Sequence, residues 1–265
     1  MKGIGGMMMT IHSLVFFDLD GTLLNERSEI TPEVKAALTQ LRENGHIPFI
    51  ATGRPPVEIK KFMAETEIDS LIAMNGQYGQ INGQQIFSHT IPDDLILKLY
   101  HTAHSQGHEL AYLNTLARWI SAETPAAINA FRFVNEAPPA VDPLIFQNEP
   151  INMLLVLGEG GDDYYPTQFP ELAFYRNTPY SMDVVPKGQD KGTGVKELIQ
   201  RLKLTGIPTF AFGDGPNDLA LFDAVDTKIA MGNAREELKV KADFITTDHS
   251  SDGIVRGLRH YQLID

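Results

Sequence analysis

The chain has 265 residues, 43% hydrophobic and 21% charged, enough to bury one large core or two smaller ones and unlike a disordered or fibrous protein. Its formal net charge of −12 argues against nucleic acid or an anionic membrane as the main partner, since both select basic surfaces. Without cysteine there are no disulfides, no thiolate catalysis and no cysteine-ligated zinc, which suits a reducing, cytoplasmic setting.

No apolar run approaches the ~20 residues of a membrane-spanning helix, and the first residues lack the apolar stretch of a secretory signal. Residues 1–8 read as an extension outside the fold. The first element is 13–17 (SLVFF), a continuous apolar run ending in Asp18, the pattern of a strand covered on both faces. A helix starts after Thr31, with Pro32 at its first position, apolar Val34, Ala37, Leu38 and Leu41 at helical spacing, and Asn44-Gly45 as its stop. Strand 47–51, helix 57–64 and strand 71–74 continue a strand–helix alternation, which implies a parallel, doubly wound sheet.

The pattern then changes. Asn82-Gly83 between two short strand-like runs signals a two-residue hairpin turn. Up to about Pro186, short strands (109–113, 118–121, 151–157, 173–175) mix with helices (93–105, 125–133), an α+β pattern. Alternation resumes with helix 191–202, strand 209–212, helix 216–224, strand 228–231, strand 244–245 and helix 253–261. The expected architecture is therefore a Rossmann-like α/β core (9–82 and 187–265) interrupted by an inserted α+β cap (83–186).

In open parallel sheets, ligands bind beyond the carboxyl ends of the strands. Four groups fall there: Asp18-Leu19-Asp20-Gly21-Thr22, Thr52-Gly53-Arg54, the 187–191 region, and Gly213-Asp214-Gly215-Pro216-Asn217-Asp218. An aspartate ending one strand is common; carboxylates, a lysine and small polar groups at four corresponding places converge on one crevice.

These segments resemble the motifs of the haloacid dehalogenase-like phosphatases. FFDLDGTLL is similar to the first motif (hhhDxDGT, h apolar), ATGR to the second, DKGTGVKEL to the third and FGDGPNDLAL to the fourth. The insertion and the MGNA segment at Met231 resemble the Cof-type branch, and the likeness runs from about Thr10 onward. It implies a magnesium-dependent phosphatase acting on small phosphorylated metabolites, sugar phosphates first, through an aspartyl-phosphate on Asp18.

The resemblance assigns roles residue by residue. Asp18 is the expected nucleophile and a metal ligand, Asp20 a metal ligand through its backbone carbonyl and the general acid/base through its side chain, and Asp214 a further Mg2+ ligand. Asp218 is expected to orient metal-bound water. Leu19, Thr52, Gly53, Lys191 and Asn217 are expected around the phosphoryl oxygens. Asn75, Gly76 and Arg118 are candidates for the leaving group, and the cap is expected to shut out bulky targets.

Blander readings stand beside these. Thr52 also suits a helix cap, Lys187 competes with Lys191, and Arg54 reads as the partner of a carboxylate rather than as a catalytic group. Asp183 and Asp190 are expected at the surface, His101, His104 and His108 on a solvated face, and Tyr112 and Trp119 in the core. A phosphosugar mutase shares the phospho-aspartate and the cap style, and a sensor could keep the fold without turnover. A dinucleotide site is excluded because Asp-x-Asp, not a glycine-rich turn, follows the first strand.

Overall fold

The apolar run Ser13–Phe17 forms strand β1, buried along its whole length as a strand covered on both faces must be. In the computed structural model, which describes residues 11–265, β1 lies inside an eight-stranded sheet. The extension expected at 1–8 lies outside the described residues, as do residues 9 and 10 of the expected core.

Helix α1 (Pro32–Glu43) begins at the expected cap: the Val34 N–H donates to Thr31 Oγ1 at 3.3 Å. Then come β2 (His46–Ala51), α2 (Pro56–Thr66), β3 (Leu71–Ala73), β4 (Tyr78–Ile81) and β5 (Gln84–Ser88). The next stretch holds α3 (Asp93–Ser105), β6 (Glu109–Leu113), β7 (Arg118–Ile120), α4 (Pro125–Phe133), β8 (Ala140–Val141), β9 (Met153–Leu157), α5 (Tyr164–Gln168), β10 (Leu172–Thr178) and β11 (Ser181–Pro186). The chain closes with α6 (Lys191–Leu202), β12 (Thr209–Gly213), α7 (Asp218–Phe222), β13 (Thr227–Ala230), α8 (Glu236–Lys241), β14 (Phe244–Ile245) and α9 (Gly253–His260).

The large sheet has the order β14-β13-β12-β1-β2-β3-β4-β5. It is parallel from β14 to β3 and antiparallel at β4 and β5. On one face, Val15, Phe17 and Ile50 pack with Leu38 of α1, Ile59 of α2 and Leu258 of α9. On the other, Phe16, Phe49 and Ile72 meet Leu198 of α6 and Phe222 of α7. Helices on both faces make this the doubly wound α/β core expected from the alternation.

The second sheet, β10-β11-β9-β6-β7-β8, is largely antiparallel. One of its faces buries Leu110, Tyr112, Leu154 and Val184 against α3 and α5. Residues alternate across a strand, so Leu113, Leu155 and Asp183 lie on the opposite face, toward the large sheet.

Two expectations change. The hairpin turn at Asn82-Gly83 has positive φ at both residues, 49° and 72°, as such a turn requires. Both hairpin strands, however, belong to the large sheet, so the boundary expected between 82 and 83 falls inside a tight turn and the chain leaves that sheet only after Ser88. Strand β11, absent from the sequence reading, carries polar Ser181 and Asp183 on one face, which breaks the apolar run that would have revealed it.

Candidate active site

β12, β1 and β2 are neighbours, and their carboxyl ends deliver Asp214, Asp18 and Thr52 to one edge. Asp18 is held as the ladder's last rung, its N–H donating to Phe212 O at 3.0 Å. After it the chain turns at Gly21, whose φ is 80°; a Cβ there would overlap the Asp214 carboxylate, so only glycine lets the two loops meet. Thr22 Oγ1 donates to Asp214 Oδ1 at 3.3 Å, and Asn233 Nδ2 donates to Gly21 O at 2.8 Å.

Lys191 opens α6 behind this edge, oriented by a capping box in which Asp190 Oδ1 accepts the Thr193 N–H at 2.7 Å. Its side chain is 0% exposed, and Nζ donates to Asp18 Oδ1 at 2.5 Å and to Asp218 Oδ1 at 2.8 Å. Burial works against the ammonium, but the Asp18 and Asp218 carboxylates outweigh it and hold its pKa above the usual lysine value. Asp218, 0% exposed, accepts the N–H groups of Asp214 and Gly215 at 3.0 Å each, so it fixes both the lysine and the 213–215 loop.

Carboxylate oxygens of Asp18, Asp214 and Asp218 lie within 4.8 Å of one another. An all-oxygen acidic set with a single lysine fits a hard divalent cation such as Mg2+. The strain of this cluster shows in its protonation: burial and then Asp218 push Asp18 well above the carboxylate range, against the pull of Lys191. Burial and Asp218 likewise raise Asp214 to about 6.

Asp20 is turned the other way. Arg54 holds its carboxylate with two hydrogen bonds, Nε to Oδ2 at 2.8 Å and Nη2 to Oδ1 at 2.6 Å. Arg54 is thus a carboxylate's partner, and that carboxylate is the expected acid/base. Thr52 does not cap α2, whose N-cap is Pro55; its Oγ1 accepts the Arg54 N–H at 3.1 Å, leaving its own hydrogen available. The N–H groups of Leu19 and Gly53 have no protein acceptor among the described residues. Asn217 stands exposed at the rim.

Asp18, Asp20, Thr52, Gly53, Arg54, Asp214 and Asn217 line a cavity of about 470 Å³ between the strand ends and the second sheet, with Lys191 and Asp218 behind its wall. Arg118 lines it too, its Nη1 2.8 Å from both Glu58 of α2 and Glu136. Asn75 is buried beside it and donates from Nδ2 to Asp183 Oδ2 at 2.9 Å, while its Oδ1 has no partner. Gly76, expected near the leaving group, instead packs against the Asp190 carbonyl at φ 92° and does not line the cavity; it lets α6 approach β3.

Asp183 also departs from expectation. It is only 8% exposed, on the cavity wall, with Asn177 Nδ2 donating to its Oδ1 at 2.5 Å. Burial raises its pKa to about 7 against the Asn75 hydrogen bond and the field of Lys191. Asp190 is a helix cap rather than a free surface acid, whereas Lys187 is exposed. His108 bonds Tyr165 Oη at 2.8 Å, and no histidine joins a metal-type cluster among the described residues. Tyr112 is buried and Trp119 packs beside it.

Sequence reasoning read Arg54 as a carboxylate's partner without naming Asp20, and it missed the roles of Glu58, Asn177, Asp183 and Asn233. The signal for Asp183 was present in the alternation of S-M-D-V-V-P, which puts Ser181 and Asp183 on one face just before the lysine motif. Glu58 and Asn177 carry no local signal.

The site is thus an acidic, lysine-bridged edge of a doubly wound α/β core, set under a second sheet. The chain belongs to the haloacid dehalogenase-like hydrolases, whose family model matches residues 15–258, and within them to the Cof-type branch. It is 33% identical over 253 residues to the Bacillus subtilis protein named "Putative phosphatase YkrA", covering 95% of this chain and 98% of that one. The crystal structure of a hypothetical protein from Geobacillus kaustophilus HTA426 superposes with a TM-score of 0.90 at 34% identity, covering 96% of this chain and all (100%) of that one. A subclass IIB sugar phosphatase, BT4131, superposes with a TM-score of 0.83 at 25% identity, covering 95% and 100% of the two chains. The family and fold expected from the motifs therefore hold. No helix among the described residues is long and apolar enough to cross a membrane.

Proposed function

We propose that the chain is a Mg2+-dependent phosphatase of small phosphorylated metabolites, acting through a phospho-aspartate on Asp18. The observation that carries this is the buried Lys191 ammonium between Asp18 and Asp218, beneath a cavity that Asp18, Thr52, Gly53 and Asp214 line. The sugar-phosphatase and phosphatase names of its relatives support the same class.

Asp18, Asp214 and, through its backbone carbonyl, Asp20 would hold the cation, with Asp218 fixing the loop that carries Asp214. A bound magnesium ion neutralises phosphate charge and keeps neighbouring carboxylates ionised. Thr52 Oγ1 and the N–H groups of Leu19 and Gly53 would hold phosphoryl oxygens where charge develops, and Lys191, buried beneath Asp18, would add its positive field. Asp18 Oδ then attacks phosphorus in line with the ester oxygen. As the O–P bond to Asp18 forms and the ester P–O bond breaks, Asp20, released from Arg54 and carrying a proton taken up from solvent, gives that proton to the leaving oxygen. In the second half Asp20 takes a proton from the attacking water, and Asp18 leaves as a carboxylate.

The test is phosphate release from sugar phosphates and phosphorylated cofactors, with magnesium, with EDTA and with Asp18→Asn. Release that disappears with EDTA and falls by about 10³-fold or more in the variant is the expected result. Undiminished release in either case refutes the mechanism.

A further inference from the structure

Beyond the phosphate site the cavity is unbalanced in charge and split in polarity. Six carboxyl side chains line it (Asp18, Asp20, Glu58, Glu136, Asp183 and Asp214) against two guanidinium groups, Arg54 and Arg118. Both cations are paired with carboxylates at rest, and Arg54 stays in the fields of Glu58 and Glu136 when Asp20 lets it go. Arg54 forks onto Asp20 and also lies in the fields of Glu58 and Glu136, while Arg118 bridges Glu58 and Glu136 at 2.8 Å each. The third cation, Lys191, is sealed beneath Asp18 and Asp218. Among the described residues, a second anionic group on a substrate would meet carboxylates and only carboxylate-paired cations.

The walls differ in kind. β6 and β9 contribute Leu113, Met153, Leu155 and Leu157, backed by Phe131 of α4. β10 and β11 contribute Asn177, Thr178, Ser181 and Asp183. This polar ledge is held in place by its own hydrogen bonds: Ser181 Oγ donates to Asn177 Oδ1 at 2.7 Å, and Asn177 and Asn75 each donate to one Asp183 oxygen. Each carboxylate oxygen keeps a lone pair for an incoming donor. Preorganisation of that sort is what a selective site needs.

We infer that the cavity selects phosphomonoesters whose leaving group carries no negative charge, presents hydroxyl or amine donors to the Asp183 ledge and lays an apolar face on the Leu113–Leu155 wall. This rests on the phosphatase reading and narrows its substrate class.

The experiment compares kcat/KM, with magnesium, for glucose 6-phosphate, glucosamine 6-phosphate, 6-phosphogluconate and p-nitrophenyl phosphate. The carboxylate-bearing ester is expected to be at least about tenfold poorer than glucose 6-phosphate, and the amine at least as good. Glu136→Gln, at the rim, leaves Arg118 with one partner and should raise kcat/KM for 6-phosphogluconate several-fold relative to glucose 6-phosphate. Asp183→Asn should raise KM for glucose 6-phosphate about tenfold or more relative to its effect on p-nitrophenyl phosphate, which offers no donor to the ledge. If that variant does not fold, Ser181→Ala probes the same ledge and should show the same split. Hydrolysis of all the esters with the acidic one within about threefold of glucose 6-phosphate overturns the inference alone. Failure to hydrolyse any of them, p-nitrophenyl phosphate included, overturns the phosphatase reading and the inference with it.

Discussion

Replacing Lys191 with methionine keeps most of the side chain's unbranched stem and removes the positive charge between Asp18 and Asp218. Both carboxylates are buried, and the lysine itself is 0% exposed, so water cannot take over its role. Taking away one partner of such a set strands buried charge, which costs about 3–5 kcal/mol. For a chain of this size 1 kcal/mol corresponds to roughly 2–4 °C in Tm, so Lys191→Met should melt about 6–20 °C lower at about pH 8. The loss should shrink toward about pH 5. Carboxylates whose folded pKa is raised favour the native state at low pH and lose that contribution as pH rises through the folded value. Asp18 and Asp214 are raised by burial and by Asp218, and losing the lysine raises them further. Added magnesium should restore more Tm to the variant than to the wild type, because a cation replaces the missing charge. Thermal melts by circular dichroism at both pH values, with and without magnesium, test this. A variant melting within about 2 °C of wild type at pH 8 would refute the claim that the ammonium neutralises this cluster.

Asp183→Asn removes a carboxyl whose folded pKa stands at about 7 against the ordinary 3.8. Wild-type stability therefore falls as pH rises from about 4 to about 7, and the Tm of the variant relative to wild type should increase from pH 5 to pH 8; a flat difference counts against the buried assignment. Gly76→Ala should destabilise by about 2–4 kcal/mol in urea melts, since φ is 92° and the new methyl meets the Asp190 carbonyl. Gly83→Ala is its control: φ is 72° with nothing near the new carbon, so the loss should be about 1–2 kcal/mol.

The sheet core was legible because its signals are local. An apolar run names β1, Thr31-Pro32 starts α1, and the lysine at 191 reads as the opening of α6, all within a few residues of chain. The aspartates at the ends of β1 and β12 follow once the strands are known, because parallel order brings their carboxyl ends to one edge. The 82/83 boundary misplaced the exit from the core because a hairpin signal says where the chain turns and not which sheet it joins.

Pairings across the chain were settled only by packing. Lys191 meets Asp18 across 173 positions and Asp218 across 27, and a lysine opening a helix could as well have pointed to solvent. Arg54 finds Asp20 across 34 positions, and Asn75 finds Asp183 across 108. Asp183 shows the reason most plainly. Strand alternation fixes which residues share a face, but whether that face meets water or a second layer depends on how the two sheets stack, and no run of neighbouring residues encodes that. The sequence alone thus determined most of the core's strands and helices and the chemical groups at their ends. The tertiary structure decided which of those groups are buried, which charges they face, and what shape and charge the cavity above them presents.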